Sequence, residues 1–331
     1  MLYKYLLILS AQLISCYFFL KYFPSIPHLI IHKDELSAFR KYPITTGVGI
    51  FFLINFIFFF FLYIFFFNFY LPEKFFIFII SLIILSVVSF IDDFKSLDPV
   101  LRLIVQLTCV YFSLSSVPHI IVFLPIKLSI IICLFTWVYI MNINNFIDGA
   151  DGFCVTISIT FFLSVLCLCI YYDLNLFSKF ISLLVLPILL IFIFFNSPPA
   201  KLFMGDVGSI FLGFLIGYCI IELSFNGFYY FAFAAFAYPI VDCSITLFKK
   251  VLKGYYPWAR MADYFFLLPK KRKIELDFLY VEKKIFYSIS LLSLVNLCFL
   301  FFSIYFEIKY LSLLSFLSSY ILILIYRRSQ F

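Results

Sequence analysis

The sequence predicts an all-α polytopic membrane protein of about eleven transmembrane helices, a single domain over residues 1–331, with the N-terminus outside and the C-terminus cytoplasmic. Three observations predict it. Hydrophobic residues make up 65% of the 331 residues and charged residues only 12%, whereas a soluble domain has about 45–50% and about 25%. The apolar residues come in long blocks, and about 20 such residues cross a bilayer as a helix. Lys and Arg fall mostly on alternate segments between the blocks, as cytoplasmic loops require. A soluble fold of this length could not bury so much apolar surface. A disordered chain would be poor in these very residues.

In chain order the apolar blocks run over 2–23, 46–70, 75–91, 100–116, 120–141, 152–172, 179–195, 208–224, 228–248, 285–304 and 308–326. The first lacks a small-residue cleavage site and opens a series of spans, so it reads as a retained helix. The second holds eleven Phe within 51–69, which suits a lipid-facing surface. Pro187 and Pro239 fall inside blocks and should kink them, which neighbouring helices make tolerable. None of the nine cysteines forms a C-x-x-C pair, so they read as small core hydrophobes and not as zinc or disulfide frameworks.

Orientation follows from the charges. Nineteen of the 24 Lys and Arg lie on the segments 24–45, 92–99, 142–151, 196–207 and 249–284, the tail after 326 and the adjoining helix ends. The other five are Lys4, Lys74, Lys127, Lys179 and Lys309. The basic set is therefore cytoplasmic. The net charge of +7 is a topology signal, and no soluble basic domain exists to bind nucleic acid. The long basic loop 249–284 holds ten of these cations. Its run Lys270-Lys271-Arg272-Lys273 suits either contact with anionic headgroups of membrane lipids or a plain topology anchor.

Most of the 17 carboxylates share that same face, although carboxylates do little to set topology. Asp92, Asp93, Asp148, Asp151 and Asp206 all sit beside apolar blocks. Five aspartates at helix ends on one membrane face are what a divalent-metal and phosphate site looks like.

The first motif is Phe90-Ile91-Asp92-Asp93-Phe94. Adjacent acids at a helix C-terminus are disfavoured by the dipole by about 0.3–1 kcal/mol each, which points to a cation to hold or a proton to accept. Asp98-Pro99 differs, being an N-cap followed by Pro at the first helical position. Arg102 and Gln106, one turn apart on the next helix, are placed to meet a phosphate or, for Arg102, a headgroup. The second motif runs Asn142-Ile143-Asn144-Asn145-Phe146-Ile147-Asp148-Gly149-Ala150-Asp151-Gly152. Asn142, Asn145 and Asp148 recur every three residues, so a helical turn aligns them, and the glycines permit tight turns.

The third motif is Asn196-Ser197-Pro198-Pro199-Ala200-Lys201-Leu202-Phe203-Met204-Gly205-Asp206-Val207-Gly208-Ser209. Glycines such as Gly205 and the Ser209 hydroxyl at a helix N-terminus make an anion seat. An Asp within such a seat is repelled unless a cation intervenes, which points to Mg²⁺ between Asp206 and a substrate phosphate. A weaker element, Pro43-Ile44-Thr45-Thr46-Gly47-Val48-Gly49, opens the second span. Asp242 is an intramembrane carboxylate, by default functional or paired, and pairing with a base from the long loop stands as an equal reading beside a functional role.

At these residues the sequence resembles the polyprenyl-phosphate N-acetylhexosamine-1-phosphate transferase superfamily, whose bacterial members are also called family 4 glycosyltransferases. The pattern N-x-x-N-x-x-D-G-x-D-G is met by Asn142, Asn145, Asp148, Gly149, Asp151 and Gly152. P-A-x-x-F-M-G-D-x-G-S is met from Pro199 to Ser209. The resemblance implies a membrane enzyme that moves a sugar 1-phosphate from a UDP-sugar donor to a polyprenyl phosphate acceptor, usually undecaprenyl phosphate. UMP is released, and the product starts a cell-surface glycan at the cytoplasmic side of the inner (plasma) membrane. It implies Mg²⁺, or Mn²⁺ in its place, with Asp206 as metal ligand. It makes Asp92 and Asp93 the catalytic aspartate pair, the first of them often proposed as base, with Asp148 and Asp151 also catalytic, and has Asn145, Asp148 and Asp151 line the nucleotide region. Asn142, Lys201, Arg102 and Arg260 would meet substrate, the cations relieving repulsion between two anionic reactants. Dimers occur in the superfamily, so a homodimer is among the implied partners.

Two departures stand out. Relatives usually carry His around the Arg of the last cytoplasmic loop, yet Tyr256-Pro257-Trp258-Ala259-Arg260-Met261-Ala262-Asp263 has none. Arg40 also stands where many relatives have His. The peptidoglycan-precursor branch has a His cluster at the first of these places, so the chain is not expected there. A transporter is the rival from another class, but it would place carboxylates near the bilayer midplane. A catalytically degenerate paralogue is the third reading.

Overall fold

The structure is a computed structural model that describes residues 2–23, 44–67, 71–117, 124–255, 264–272 and 278–328. It is all-α. Its helices are α1 (Leu2–Tyr22), α2 (Gly49–Phe66), α3 (Phe75–Phe94), α4 (Pro99–Ser113), α5 (Ile126–Phe146), α6 (Phe153–Tyr171) and α7 (Phe177–Asn196). They continue with α8 (Gly205–Leu223), α9 (Tyr229–Ala234), α10 (Ala237–Leu252), α11 (Leu268–Arg272), α12 (Phe278–Tyr305) and α13 (Leu314–Arg328). Among the described residues no strand forms, and Thr45 and Leu202 make an isolated parallel bridge. Helices alone satisfy every backbone polar group within a bilayer, and the apolar blocks follow that rule. The chain is an integral membrane protein.

Ten helical stretches among the described residues are long and apolar enough to cross a membrane, against about eleven expected. The difference lies in the expected ninth span, 228–248. A π-turn at Ser224–Phe228, with Gly227 at φ 86°, continues α8 into α9, and the chain then breaks before α10. At 16 residues α10 is short for a span, and α9 and α10 together carry the chain back. Pro239 therefore kinks nothing. It sits in the first turn of α10, where its missing N–H has no partner to lose.

Pro187 does lie inside α7. Its ring disturbs the turn before it, and Gln12 of α1 donates its amide to the Leu184 carbonyl at 2.8 Å and to Asn55 Oδ1 at 3.0 Å. A side chain from a neighbouring helix thus satisfies the loosened backbone.

The centre of the bundle is α8, and 94% of the most apolar window of Gly205–Ala234 is buried. Glycines make this crowding feasible. A Cβ on Gly213 would lie 2.8 Å from Met141 Cα, and one on Gly217 would lie 2.2 Å from the Trp137 ring of α5. The Trp137 indole donates to the Phe214 carbonyl at 2.9 Å. Where α2 and α8 start, a Cβ on Gly49 would lie 2.1 Å from Gly208 N.

All the carboxylate motifs gather at one end of this bundle. The Tyr5 ring stacks on Phe67 at 3.8 Å, past the end of α2. The start of α1 therefore lies opposite the motif face, to which the N-terminus of α2 belongs. Tyr326 near the end of α13 bonds Ser288 near the start of α12, so α13 ends on the motif face.

Candidate active site

The helices overrun the expected loop boundaries. α3 continues through Asp92 and Asp93, and α5 continues through Asn142 and Asn145. The motif side chains are thus held by the last turns of helices.

Asp92 and Asp93 diverge. Asp92 accepts the Leu97 N–H at 2.6 Å on one oxygen and Arg102 Nη1 at 2.6 Å on the other. The same guanidinium nitrogen lies 3.5 Å from Asp206 Oδ2. Asp93 instead accepts the N–H groups of Asp206 at 2.9 Å and Val207 at 3.3 Å. No local side chain caps α8, whose N-cap is Met204, so α3 supplies the missing acceptor. The expected anion seat is therefore filled by the protein's own carboxylate. Gly205 is needed for this: it has φ 72°, and a Cβ there would lie 2.5 Å from Asp93 Oδ2. Ser209 is fully buried and donates to Asn145 Oδ1 at 2.7 Å. It joins α8 to α5 and does not face an open seat.

Asn142 donates to Gln106 Oε1 at 2.7 Å. Asn144, which lies off the three-residue spacing and was missed on that account, is fully buried and donates to the Ser209 carbonyl at 2.8 Å. Asp98 caps α4 as expected, accepting Val100 N–H at 2.7 Å. Asp148 lies past the end of α5, half-buried, and neither a hydrogen bond nor an ion pair holds its carboxylate among the described residues. Burial, then the nearby charges of Asp206, Asp93 and Asp151, push its pKa up to about 8.

Asp151 has a different surrounding. It is buried, accepts the Ala200 N–H at 3.0 Å, and donates its own N–H to Glu282 at 3.2 Å. It does not cap α6, whose N-cap is Gly152 in the left-handed region. The Gly152 N–H goes to Asn196 Oδ1 at 3.1 Å, and the Asn196 amide goes to the Leu202 carbonyl at 2.9 Å. Phe203 N–H then reaches the Thr45 carbonyl at 2.9 Å and Gly49 N–H the Met204 carbonyl at 2.9 Å. The weak fourth element thereby becomes the backbone support of the third motif.

Glu282 gave no signal in the sequence. It lies fully buried near the start of α12, past its first turn, and pairs with Lys270 at 2.5 Å. Lys270 also donates to the Gly149 carbonyl at 2.8 Å. This lysine, from the run read as a headgroup contact or topology anchor, faces inward and clamps the D-G-x-D-G turn. Helices also occupy both ends of the expected loop 249–284, since α10 reaches Leu252 and α12 starts at Phe278. Asp242 takes the N–H groups of Phe265 at 3.0 Å and Phe266 at 3.4 Å, the Tyr238 hydroxyl and the Thr246 hydroxyl. From the segment 249–284 it thus takes backbone N–H groups, and its charge also bears on the Lys249 ammonium. Lys201 is exposed and is not among the cavity-lining residues. Arg260 and Arg40 lie outside the described residues.

A cavity of about 170 Å³ opens between α3, α4, α5 and α8. Its polar end is formed by Asp92, Arg102, Gln106, Asn142, Asn145 and Asp206, and its wall by Leu85, Val88, Leu103, Val105 and Ile210. A charged floor under an apolar wall can hold an anionic head with a hydrocarbon tail.

No three metal-binding side chains converge among the described residues. Mg²⁺ does not need them. It keeps several waters and takes one or two carboxylates plus substrate phosphates. Asp206, which lines the cavity with its carboxylate 3.5 Å from Arg102, and Asp148, whose pKa is raised by burial and then by the neighbouring aspartates, are the oxygen donors that fit such an ion.

Fold and site together define a membrane-embedded cleft with an acidic, arginine-bearing end. Residues 75–224 match the family model described as glycosyl transferase family 4, a stretch that contains Asp92, Asp93, Asp148, Asp151 and Asp206. Over these residues the chain is similar to that family, in line with the motif resemblance. Similar proteins include a phospho-N-acetylmuramoyl-pentapeptide-transferase of Lactococcus lactis subsp. cremoris, 41% identical over 26% of this chain and 25% of its own length. A probable undecaprenyl-phosphate N-acetylglucosaminyl 1-phosphate transferase of Bacillus subtilis is 33% identical over 34% of this chain and 32% of its own. A phospho-N-acetylmuramoyl-pentapeptide-transferase of Streptococcus uberis is 29% identical over 43% and 47%. The matched stretches thus span a quarter to about half of these relatives.

Proposed function

We propose that the protein transfers an N-acetylhexosamine 1-phosphate from a UDP-sugar to undecaprenyl phosphate, releasing UMP. The cleft would face the cytoplasm from the plasma membrane and start a cell-surface glycan. The observation that carries this is the cavity itself, whose acidic and basic floor adjoins an apolar wall on α3 and α4. The relatives' names point to the same class of reaction, and the basic residues of the motif face support the orientation. The missing histidines near Arg260 weigh against the muramoyl-pentapeptide donor. The aspartates sit at helix ends and not at mid-bilayer, which weighs against transport.

The acceptor phosphate has a second pKa of about 6, so at neutral pH it is mostly a dianion and needs no base. One of its oxygens attacks the phosphorus that carries the sugar. A new phosphoanhydride bond forms, the bond to the UMP oxygen breaks, and UMP leaves with that electron pair. The difficulty is repulsion between two anions. Arg102, held by Asp92, offers its guanidinium to the acceptor phosphate. Asn142 and Asn145 orient the phosphates with neutral amides, and Asp93 fixes the start of α8 so that Asp206 stays aimed at the cleft. Mg²⁺, or Mn²⁺, held by Asp206 and Asp148, would supply positive charge to the donor diphosphate.

The test is purified protein in lipid nanodiscs with undecaprenyl phosphate, Mg²⁺ and a panel of UDP-N-acetylhexosamines, read as UMP release. Release with one donor supports the reading and identifies the sugar. No release with any donor overturns it.

A further inference from the structure

α10 and α13 pack against each other and end on the motif face. α10 ends with Lys249 and Lys250, followed at once by Lys253, and α13 ends with Arg327 and Arg328. Burial and then the charges of Arg327 and Lys253 disfavour the Lys249 ammonium, while Asp242 favours it. Helix dipoles and topology each favour a base at such an end. Neither explains why two adjoining helices bring theirs together against mutual repulsion. The two helices carry a single carboxylate, Asp242, which is fully buried and holds the Phe265 and Phe266 N–H groups. The same turns expose Phe248 at 65%, Leu252 at 70% and Ile325 at 49%. Cations above bare hydrocarbon match an amphiphile with an anionic head.

We propose that the adjoining ends of α10 and α13 bind an anionic phospholipid, its phosphate among Lys249, Lys253 and Arg328 and its acyl chains along Phe248, Leu252 and Ile325. The site is separate from the cleft and independent of the transferase reading. It touches the catalytic face all the same. The Lys249 ammonium lies 4.3 Å over the Phe265 ring, and the adjacent Phe266 stacks on Phe153 at 4.5 Å and covers Gly149.

The test is native mass spectrometry and thermal unfolding of the full chain in detergent, with added phosphatidylglycerol, phosphatidylcholine of the same chains, or inorganic phosphate. Phosphatidylglycerol should stay bound and raise the melting temperature, and the other two should not. At about 1 kcal/mol per cation, Lys249→Gln/Lys253→Gln/Arg328→Gln should weaken phosphatidylglycerol binding about a hundredfold and Lys253→Gln alone about fivefold. Lys309→Gln on the opposite face should leave it unchanged. Equal retention of both lipids, undiminished binding by the triple variant, or the same stabilisation by inorganic phosphate would each overturn the proposal.

Discussion

The Asp93 carboxylate of α3 receives the Asp206 N–H of α8 at 2.9 Å, so the first acidic motif caps the helix that carries the third. Removing the acceptor should cost what a lost helix cap costs. Asp93→Ala is expected to destabilise the protein by about 1–2 kcal/mol, and Asp93→Asn by less because an amide oxygen still accepts. Thermal unfolding in detergent measures both. An Asp93→Ala protein that melts with the wild type would remove the capping role.

Arg102 is gripped by Asp92 at 2.6 Å and reaches toward Asp206. If it meets the acceptor phosphate, Arg102→Met should lower kcat by about 10²–10³, the usual effect of deleting one donor to a developing charge. Arg102→Lys should recover only part of this, since a point charge cannot make the forked contact. A steady-state assay of UMP release over a range of acceptor concentrations decides. Wild-type kcat in the Met variant would exclude Arg102 from the site.

Asp148 gives a pH signature. Its folded pKa, near 8, lies above the unfolded value of about 3.9. Between those values the folded state binds a proton that the unfolded state has released. Stability from this group is therefore present below about pH 4 and is lost as pH rises towards 8. In EDTA, Asp148→Asn should flatten that decline, so the variant gains on the wild type between pH 5 and pH 8. Parallel melting curves across this range would mean that Asp148 is already ionised in the metal-free protein.

The Lys270–Glu282 pair is buried on both sides, at 4% and 0% side-chain exposure. Breaking one side strands a buried charge, so Glu282→Met or Lys270→Met alone should cost about 3–5 kcal/mol, whereas Lys270→Met/Glu282→Met should cost distinctly less. Comparing the two single variants with the double variant isolates the coupling. Equal losses in all three would show that the pair acts through packing alone.

Gly49 and Gly227 separate contact from conformation. A Cβ on Gly49 meets backbone at 2.1 Å, while one on Gly227 meets nothing within 4 Å and faces only its φ of 86°. Gly227→Ala should cost about 1–2 kcal/mol. Gly49→Ala should remove most folded protein, read as the monodisperse fraction in size-exclusion chromatography. The reverse order would mean that α2 and α8 separate freely.

The sequence carried the helices and motifs well, because apolar length and tightly spaced polar residues are local signals. Asp98-Pro99 marked the start of α4 for the same reason. Three things were not legible. The last turns of α3 and α5 are polar, so apolar counting stopped short of Asp92 and Asn142. Asp93, Asp151 and Asp242 bind backbone N–H groups from distant segments, and a backbone donor has no sequence signature. Glu282 and Lys270 look like ordinary loop charges until the chain turn at Gly149 is laid between them.

The burial of α8 has a mechanical consequence. A post packed on all sides cannot slide along the bilayer normal without disturbing every neighbour, and its lower end is tied by Glu222 to the first amides of α7, with Ser178 N at 2.7 Å. Asp206 therefore keeps a constant depth. α4 is a thin outer panel, with only a few of its residues buried and Arg102 on its inner side. If the proposed long-tailed acceptor enters from the membrane, α4 is the wall whose displacement would disturb the fewest packed side chains, and Arg102 would shift against an Asp206 of fixed depth.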